Sequence, residues 1–194
     1  TAAYYRAGFD ETHGGLDGQR KFPSSLSVRM LLRHHRRTGD VESLAMATRT
    51  LEAMAAGGIH DQVGGGFHRY ATDPAWLVPH LEQMLYDNAL LVPAYLEAYQ
   101  VTGREDFAEV ARDILRYVAR DMTAPEGVFY SATDADSPGP DGQREEGLFF
   151  TWTPDEIAAV LDAEQARAVV AYFGVIDAGN FEGRTILHTP RSWR

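Results

Sequence analysis

The sequence predicts a mainly α-helical domain built from antiparallel helical pairs, and three observations carry that prediction. Apolar residues recur at helical spacing from Ser24 to Val118. Two short turns, Thr38-Gly39-Asp40 and Thr102-Gly103-Arg104, close helical pairs. Long, chemically varied stretches separate one pair from the next. In an antiparallel array the short turns lie at one end and the long connections at the other. The loops at 10–23, 58–78 and 123–152 are therefore expected to share one face. The imperfect recurrence of the pairs fits a repeat-like αα architecture.

Each element has its own reason. Ser24 or Ser25 caps a first helix running to Arg37, with Val28, Leu31, Leu32 and His35 on one side. Asp40 caps the next, which carries Leu44, Ala47, Leu51, Met54 and Ala55 and ends at Gly57-Gly58. Pro79 suits the first turn of a third helix, in which Leu81, Leu85, Val92 and Leu96 recur. A fourth begins near Glu105, with Phe107, Val110, Ala111, Ile114 and Val118 facing inward. After Met122 the period changes. Val128-Phe129-Tyr130-Ser131 and Leu148-Phe149-Phe150-Thr151 read as two strands of a small inserted β-hairpin, joined by the acidic, turn-rich DADSPGPDGQREEG. Thr153 or Asp155 starts a shorter helix through Leu161, and another covers Glu164 to Phe173. The tail at 174–194 has no clear periodicity.

Composition narrows the function classes. With 194 residues, 44% hydrophobic and 24% charged, the chain suits a single globular domain, 1–194, or a large piece of one. A net charge of −10 argues against a phosphate-tracking nucleic-acid surface. The dense basic run Arg33-His34-His35-Arg36-Arg37 closes a helix, where cations favour the negative end of the dipole. The absence of cysteine rules out disulfides and thiolate metal sites within the chain. No apolar run approaches the roughly 20 residues of a membrane span, no signal-peptide pattern opens the sequence, and a cytoplasmic setting is expected. The start at Thr1 without Met reads as an excised piece of a longer protein.

The stretch from Gly57 to Asn88, GGIHDQVGGGFHRYATDPAWLVPHLEQMLYDN, holds three His, four acidic residues, one Arg, two Tyr and one Trp. Helix–helix connectors commonly need roughly two to eight residues, so a stretch this long and varied reads as the wall of a binding site. Extended to Leu91, it resembles the signature of the YyaL-like family, bacterial relatives of spermatogenesis-associated protein 20. HGGLDGQRKFP (13–23), FYSATDADS (129–137), EEGLFFTWTPDEI (145–157) and GNFEG (179–183) support the resemblance in the same order. It implies a partial (α/α)6 toroid, six-hairpin glycosidase-like and similar to N-acylglucosamine 2-epimerases. The chain would be roughly the first half of the ring. A thioredoxin-like domain and the later hairpins of the full-length protein would lie outside it. Leu81 and Gln83 stand where relatives often carry Phe and Lys, Thr133 where Gln is frequent, and Gln19-Arg20 where Ala-Pro is. No cation therefore stands at position 83.

The candidate catalytic residues are His80, His68, His60, Asp134 and Asp136. His80, Met84 and Asp87, at i, i+4 and i+7, would share one helical face with Asn88 and Leu91 nearby. His80 is then either a general acid or base, since an unperturbed His titrates at about 6.5, or it bonds loop backbone together with Glu82. His60 and His68 are expected at the same end. If 67–70 is extended, His68 and Tyr70 share one face and Phe67 and Arg69 the other. Arg69 either grips a carboxylate or sugar hydroxyls or pairs with Asp61 or Asp73. Trp76, Tyr70 and Tyr86 are candidate stacking surfaces for a sugar ring, with packing in the core as the alternative. Lys21 lies either at the cavity rim or in a salt bridge. Gly64-Gly65-Gly66 lacks the strand–turn–helix setting of a phosphate loop and instead permits close backbone approach. Asp134 and Asp136 point the same way if extended. They are either the carboxylate pair of a glycoside hydrolase, about 5–5.5 Å or 6.5–9.5 Å apart, or a cation site, or turn caps. Glu145-Glu146 reads as a solvated loop edge. His60, His68, Asp73 and His80 show none of the usual zinc spacings, and no metal or cofactor is expected.

Three functions follow from these residues and the resemblance. The first is sugar epimerase- or isomerase-like proton transfer by His beside an open-chain carbonyl. The second is glycoside hydrolysis by Asp134 or Asp136 with another acid. The third is a non-catalytic binding or scaffold toroid serving the thioredoxin-like domain. The expected partner is a small molecule such as a sugar, with neither nucleic acid nor membrane. A half-ring would also expose apolar helix flanks and self-associate.

Overall fold

Apolar spacing and turn chemistry produce the helical pairs much as expected. In the computed structural model, residues 2–139 and 142–190 are described. The elements in order are α1 (Ala2–Ala7), α2 (Ser25–Thr38), α3 (Val41–Ala56), β1 (Tyr70–Ala71), β2 (Pro79–His80), β3 (Gln83–Met84), α4 (Leu85–Thr102) and α5 (Glu105–Asp121). They continue with β4 (Ala132–Thr133), β5 (Asp136–Pro138), β6 (Arg144–Glu146), a 3-10 turn (Leu148–Phe150), β7 (Thr151–Trp152), α6 (Pro154–Val160), α7 (Ala163–Phe173) and β8 (Thr185–Ile186). α2 packs on α3, α4 on α5, and α2 on α4.

The first pair follows its apolar spacing and its glycine stop at Gly39, while Ser24 and Asp40 occupy the capping positions without a side-chain capping bond. Val28, Leu31 and Leu32 are fully buried on α2, and Gly39 closes it in the left-handed conformation, its N–H bonded to His35 O at 2.7 Å. α3 buries Ala47, Leu51, Met54 and Ala55 as expected, together with Met46 and Thr50. α5 buries Phe107, Val110, Ala111 and Ile114, and adds Tyr117 to the same face. Capping boxes start α6 at Thr153/Glu156 and α7 at Asp162/Gln165. A smaller apolar cluster of Ile157, Val175 and Leu187 lies beside the main core.

The long loops do meet. Lys21 and Ala71 exchange backbone hydrogen bonds of 2.9 and 2.8 Å, which joins the loops at 10–23 and 58–78. β3 pairs antiparallel with β4, and the His68 ring stands edge-on to Phe150 with centroids 4.8 Å apart. These contacts bring in the stretch at 123–152.

Three expectations need correction. Pro79 does not open a helix: Pro79–His80 and Gln83–Met84 are short strands with a bend at Leu81 between them, and α4 starts at Leu85. Leu81 is buried from that segment, while α4 turns Leu91, Ala94, Tyr95 and Ala98 inward and leaves Leu96 exposed. The pairing of Pro79 and His80 with Ala71 and Tyr70 outcompetes the helix-start preference of Pro. The inserted hairpin also moves. Val128, Phe129 and Tyr130 are exposed, and the hairpin forms inside the supposed connector, β5 with β6. There the turn formers bring their immediate flanks together. Pro140 and Asp141 of that connector, and 191–194 of the tail, lie outside the described residues. Thirdly, the tail contributes β8, which pairs with β7.

Asn88 locks the end of the long loop to the start of α4. Fully buried, its carboxamide accepts from Phe67 N–H at 2.8 Å and donates to Phe67 O and Met84 O at 3.0 Å each. Leaving such backbone groups unpaired costs about 1–3 kcal/mol each. Asn88→Ala is therefore expected to lower the unfolding free energy by roughly 3 kcal/mol in a urea titration; a loss under about 0.5 kcal/mol would show that Asn88 is not the clamp.

Candidate functional site

The site is organised by the segment 79–84, two short strands joined at a bend at Leu81, whose residues alternate between buried and half-buried. Pro79, Leu81 and Gln83 are buried, while His80, Glu82 and Met84 are half-buried. Two different surfaces result.

On the half-buried side, aromatic rings and charges converge. Tyr70 lies opposite His80 across the β1–β2 pair, and their rings stack 5.0 Å apart at an interplanar angle of 5°. Phe22, an exposed ring from the 10–23 loop, lies 4.9 Å from Tyr70. Glu82 Oε2 accepts from Arg69 at 3.2 Å and lies 3.5 Å from His80 Nδ1. The His80–Glu82 contact falls short of a full hydrogen bond, as His80 Nδ1 makes none. Such contacts are commonly loose before substrate binds. Tyr86, half-exposed, and Asp87 complete the group. Burial pushes the Asp87 carboxyl up to about 6, against the pull of Arg69 and Tyr86, and its Oδ2 has no partner among the described residues. The neighbouring Tyr86 and Glu82 hold the Arg69 guanidinium charged. This arrangement can hold a hydroxylated ring against an aromatic face and exchange a proton with it.

On the buried side, Gln83 is fully inaccessible, and neither end of its carboxamide has a partner among the described residues. It lines a cleft of about 340 Å³ with Tyr117, Thr133, Phe149 and Phe150, while Arg120 and Asp121 stand among the other lining residues. Thr133 is the antiparallel partner of Gln83, which puts both side chains on one face. The Tyr117 and Thr133 hydroxyls lie within reach of each other without the alignment of a full hydrogen bond.

The other candidate residues are engaged in structural contacts. Trp76 is corrected from a stacking platform to a core residue: it is 1% exposed, and its indole N–H donates to His13 O at 2.9 Å. Lys21 is sealed in the interior instead of standing at a rim, with Nζ 2.5 Å from Asp10 Oδ2 and 2.6 Å from Gly14 O. Burial works against ionisation of Asp10, but Lys21 and the backbone N–H groups of His13 and Thr12 outweigh it and hold the carboxyl at about 2. Asn88 is spent on the backbone clamp. His60 bridges Asp113 Oδ2 at 3.0 Å and Ala55 O at 3.2 Å and stacks on Phe67. His68 is buried, with Nδ1 3.1 Å from Leu81 O. The three His therefore do not form one solvent-facing cluster.

The alternation expected through 67–70 also fails: Phe67 and His68 are both buried, and Arg69 and Tyr70 both half-buried. The chain bends between the bridge at Phe67 and the strand at Tyr70. Arg69 pairs with Glu82 instead of Asp61 or Asp73, whose carboxylates accept nearby backbone N–H groups. Asp134 is exposed and paired with Arg144 at 2.5 Å, and it accepts from Asp136 N–H at 3.1 Å. That is the turn-cap alternative for Asp134. The glycine expectation holds at Gly66, where a positive φ of 78° and the facing Tyr117 ring leave no room for a Cβ.

Phe22, Gln83 and Tyr117 carry parts of these surfaces without having been singled out as site residues. The alternation of PHLEQM was the available signal for Gln83, hidden by the helical assignment; Tyr117 continues the apolar face of α5 three residues past Ile114. Among the described residues no group of three or more His, Asp or Glu side chains is arranged to hold a metal ion. No helix among them is long and apolar enough to cross a membrane.

No family model matches the sequence. Spermatogenesis-associated protein 20 from Homo sapiens is 43% identical over 187 residues, covering 89% of this chain and 24% of that protein. An uncharacterized protein from Caenorhabditis elegans is 35% identical over 192 residues, 92% of this chain and 26% of its own length. The chain thus spans about a quarter of the curated relatives it matches. Among solved structures, a cellobiose 2-epimerase from Bacillus thermoamylovorans superposes with a TM-score of 0.62 at 13% identity, over 87% of this chain and 50% of that one. A family 76 α-mannanase from Bacteroides thetaiotaomicron gives 0.54 at 14% identity, over 100% of this chain and 54% of that one. These likenesses establish the fold class, part of an (α/α)6 toroid.

Burial holds the His68 imidazole neutral, lowering its pKa from 6.5 to about 4 despite the charge of Asp61 and the Leu81 carbonyl. The unfolded chain takes up this proton below 6.5 and the fold does not. His68 is therefore expected to leave stability intact above pH 6.5 and to subtract from it progressively down to about pH 4. Thermal melts of the chain and of His68→Gln across that window check this: the variant should lose one proton's worth of pH slope, and parallel curves would refute the assignment.

Proposed function

The chain is a homologue of spermatogenesis-associated protein 20 along 24% of that protein's length, and from that premise we propose that it forms one wall of a carbohydrate-directed toroid in which His80 transfers a proton. The observation that carries this reading is the His80–Glu82–Arg69 group set against the Tyr70 ring. The stretch would be the first half of the ring, with the later hairpins and a thioredoxin-like domain elsewhere in a cytoplasmic protein.

In this reading Glu82 faces Nδ1 and leaves Nε2 of His80 toward the substrate. A carboxylate so placed orients the imidazole and stabilises the imidazolium that forms. Nε2 removes the proton from the carbon beside an open-chain sugar carbonyl. The Arg69 guanidinium favours the negative charge that develops on the oxygen, and a second acid on the facing wall of the ring returns a proton to the opposite face of that carbon, which completes an epimerisation. Phe22, exposed and backed by Tyr70, offers an aromatic surface to sugar C–H groups. A hydrolytic reading is favoured by one observation, the Asp87 carboxyl lifted to about 6 and thus suited to an acid role. Asp134 is less suited, being held by Arg144 at the exposed hairpin.

Proton NMR of the full-length protein in D2O with reducing sugars and amino sugars tests the proposal. Deuterium is expected to enter at C2, and His80→Gln should slow this by about 10²-fold or more, while Asp136→Asn leaves it unchanged. Turnover lost in Asp87→Asn but kept in His80→Gln would move the assignment to hydrolysis. Sugar binding with no exchange and no cleavage would leave a binding or scaffold toroid.

The half-ring also predicts self-association of the isolated 194-residue chain through exposed helix flanks such as Leu26, Leu96 and Leu115, 65%, 43% and 55% exposed. Size-exclusion light scattering should show dimers or larger species; a monodisperse, stable monomer counts against it.

A further inference from the structure

The buried side of the 79–84 segment carries chemistry that the His80 surface does not use. Gln83 is sealed beneath the cleft, with donor and acceptor ends of one planar group both unpaired among the described residues. Its surroundings come from four places: the 61–66 loop, the C-terminal part of α5 with Tyr117 and Arg120, β4 with the following Asp134 and Ser137, and the 3-10 turn with Phe149 and Phe150. Gly66 of that loop lets Tyr117 approach closely. We propose that this cleft is a second binding site, for a small neutral ligand bearing a primary carboxamide or a lactam.

The charges at the cleft are already committed. Arg120 pairs with Asp121 and donates to Gly64 O at 2.6 Å. Asp61 accepts from the N–H groups of Val63 and Gly64, and Asp134 is held by Arg144. Asp61, Asp121 and Asp134 against Arg120 and the Arg144 bound to Asp134 leave the cleft with one net negative charge, unfavourable to a carboxylate or phosphate. Burial keeps the Tyr117 hydroxyl neutral.

What remains is an amide floor. Two parallel hydrogen bonds to Gln83, one to Oε1 and one from Nε2, need a ligand whose N–H and C=O lie on the same side of its C–N bond. Primary carboxamides and lactams have that arrangement; an ordinary trans secondary amide does not. Phe149 and Phe150 supply the apolar walls. Phe149 is 73% exposed and stands edge-on to Phe150, so among the described residues a ligand reaching the floor has only that ring contact to displace. Gln83 and His80 occupy opposite sides of one segment, so this site does not rest on the proton-transfer reading.

Saturation-transfer NMR on the full-length protein with acetamide, 2-pyrrolidone, trans N-methylacetamide and acetate tests the inference. Transfer is expected to the first two only, with 2-pyrrolidone weakened about tenfold in Gln83→Leu. Gln83→Leu removes an unpaired buried amide and should melt no lower than the parent. Equal transfer to acetate or N-methylacetamide, no transfer to 2-pyrrolidone, or binding unchanged in Gln83→Leu overturns the proposal. If that variant fails to fold, a crystal of the parent protein soaked with 2-pyrrolidone decides: the lactam on Gln83 supports it, and water alone in the cleft, or the lactam elsewhere, overturns it.

Discussion

The carboxamide of Asn88, in the first turn of α4, bonds both backbone groups of Phe67 and the carbonyl of Met84, and this fixes where the long loop stops and the helix begins. A buried amide satisfied on every side is stiff, because each bond it could lose would leave a polar group stranded without water. Phe67 is held between His60 and Tyr95, with ring centroids 4.7 and 5.7 Å away. Tyr95 in turn donates to Leu51 O at 2.9 Å. One clamp therefore ties the loop to both helical pairs. With its end fixed at Met84, the preceding segment can remain outside the helix and show a different chemistry on each side.

That division separates the two surfaces. His80 and Glu82 turn to the side of Tyr70 and Arg69, where partial exposure permits charge and proton exchange. Gln83 turns to the side of Tyr117 and Thr133, where burial removes water and leaves neutral hydrogen-bonding groups. The buried Lys21–Asp10 pair supports the first surface from behind, because Lys21 also bonds Ala71 through its backbone beside Tyr70. Breaking such a pair by removing one partner strands a buried charge.

Much of the helical scaffold was legible because its signals are local. Val28, Leu31 and Leu32, or Phe107, Val110 and Ile114, lie one helical turn apart and report their burial directly. Gly39 and Thr153 mark an end and a start by their own backbone or side-chain bonds. The pieces of strand were less legible. Two-residue strands such as β3 and β7 are too short for a period, and their partners lie far away along the chain, Gln83 with Thr133 and Thr151 with Ile186. The apolar Val128-Phe129-Tyr130 run looked like a strand and yet stays exposed.

The site residues divide on the same ground. The sequence alone determined the inventory, the helical pairing and the meeting of the loops at one end, because spacing and turn length follow from neighbours within a few residues. Only the tertiary structure decided which residues of that inventory are free to act. His60, His68, Trp76 and Lys21 carry reactive or sticky groups in the sequence, but each meets a remote partner, Asp113, Phe150, His13 and Asp10 respectively. Hydrogen bonding and burial at long range set the availability of a side chain, and neither is encoded in the spacing of its neighbours.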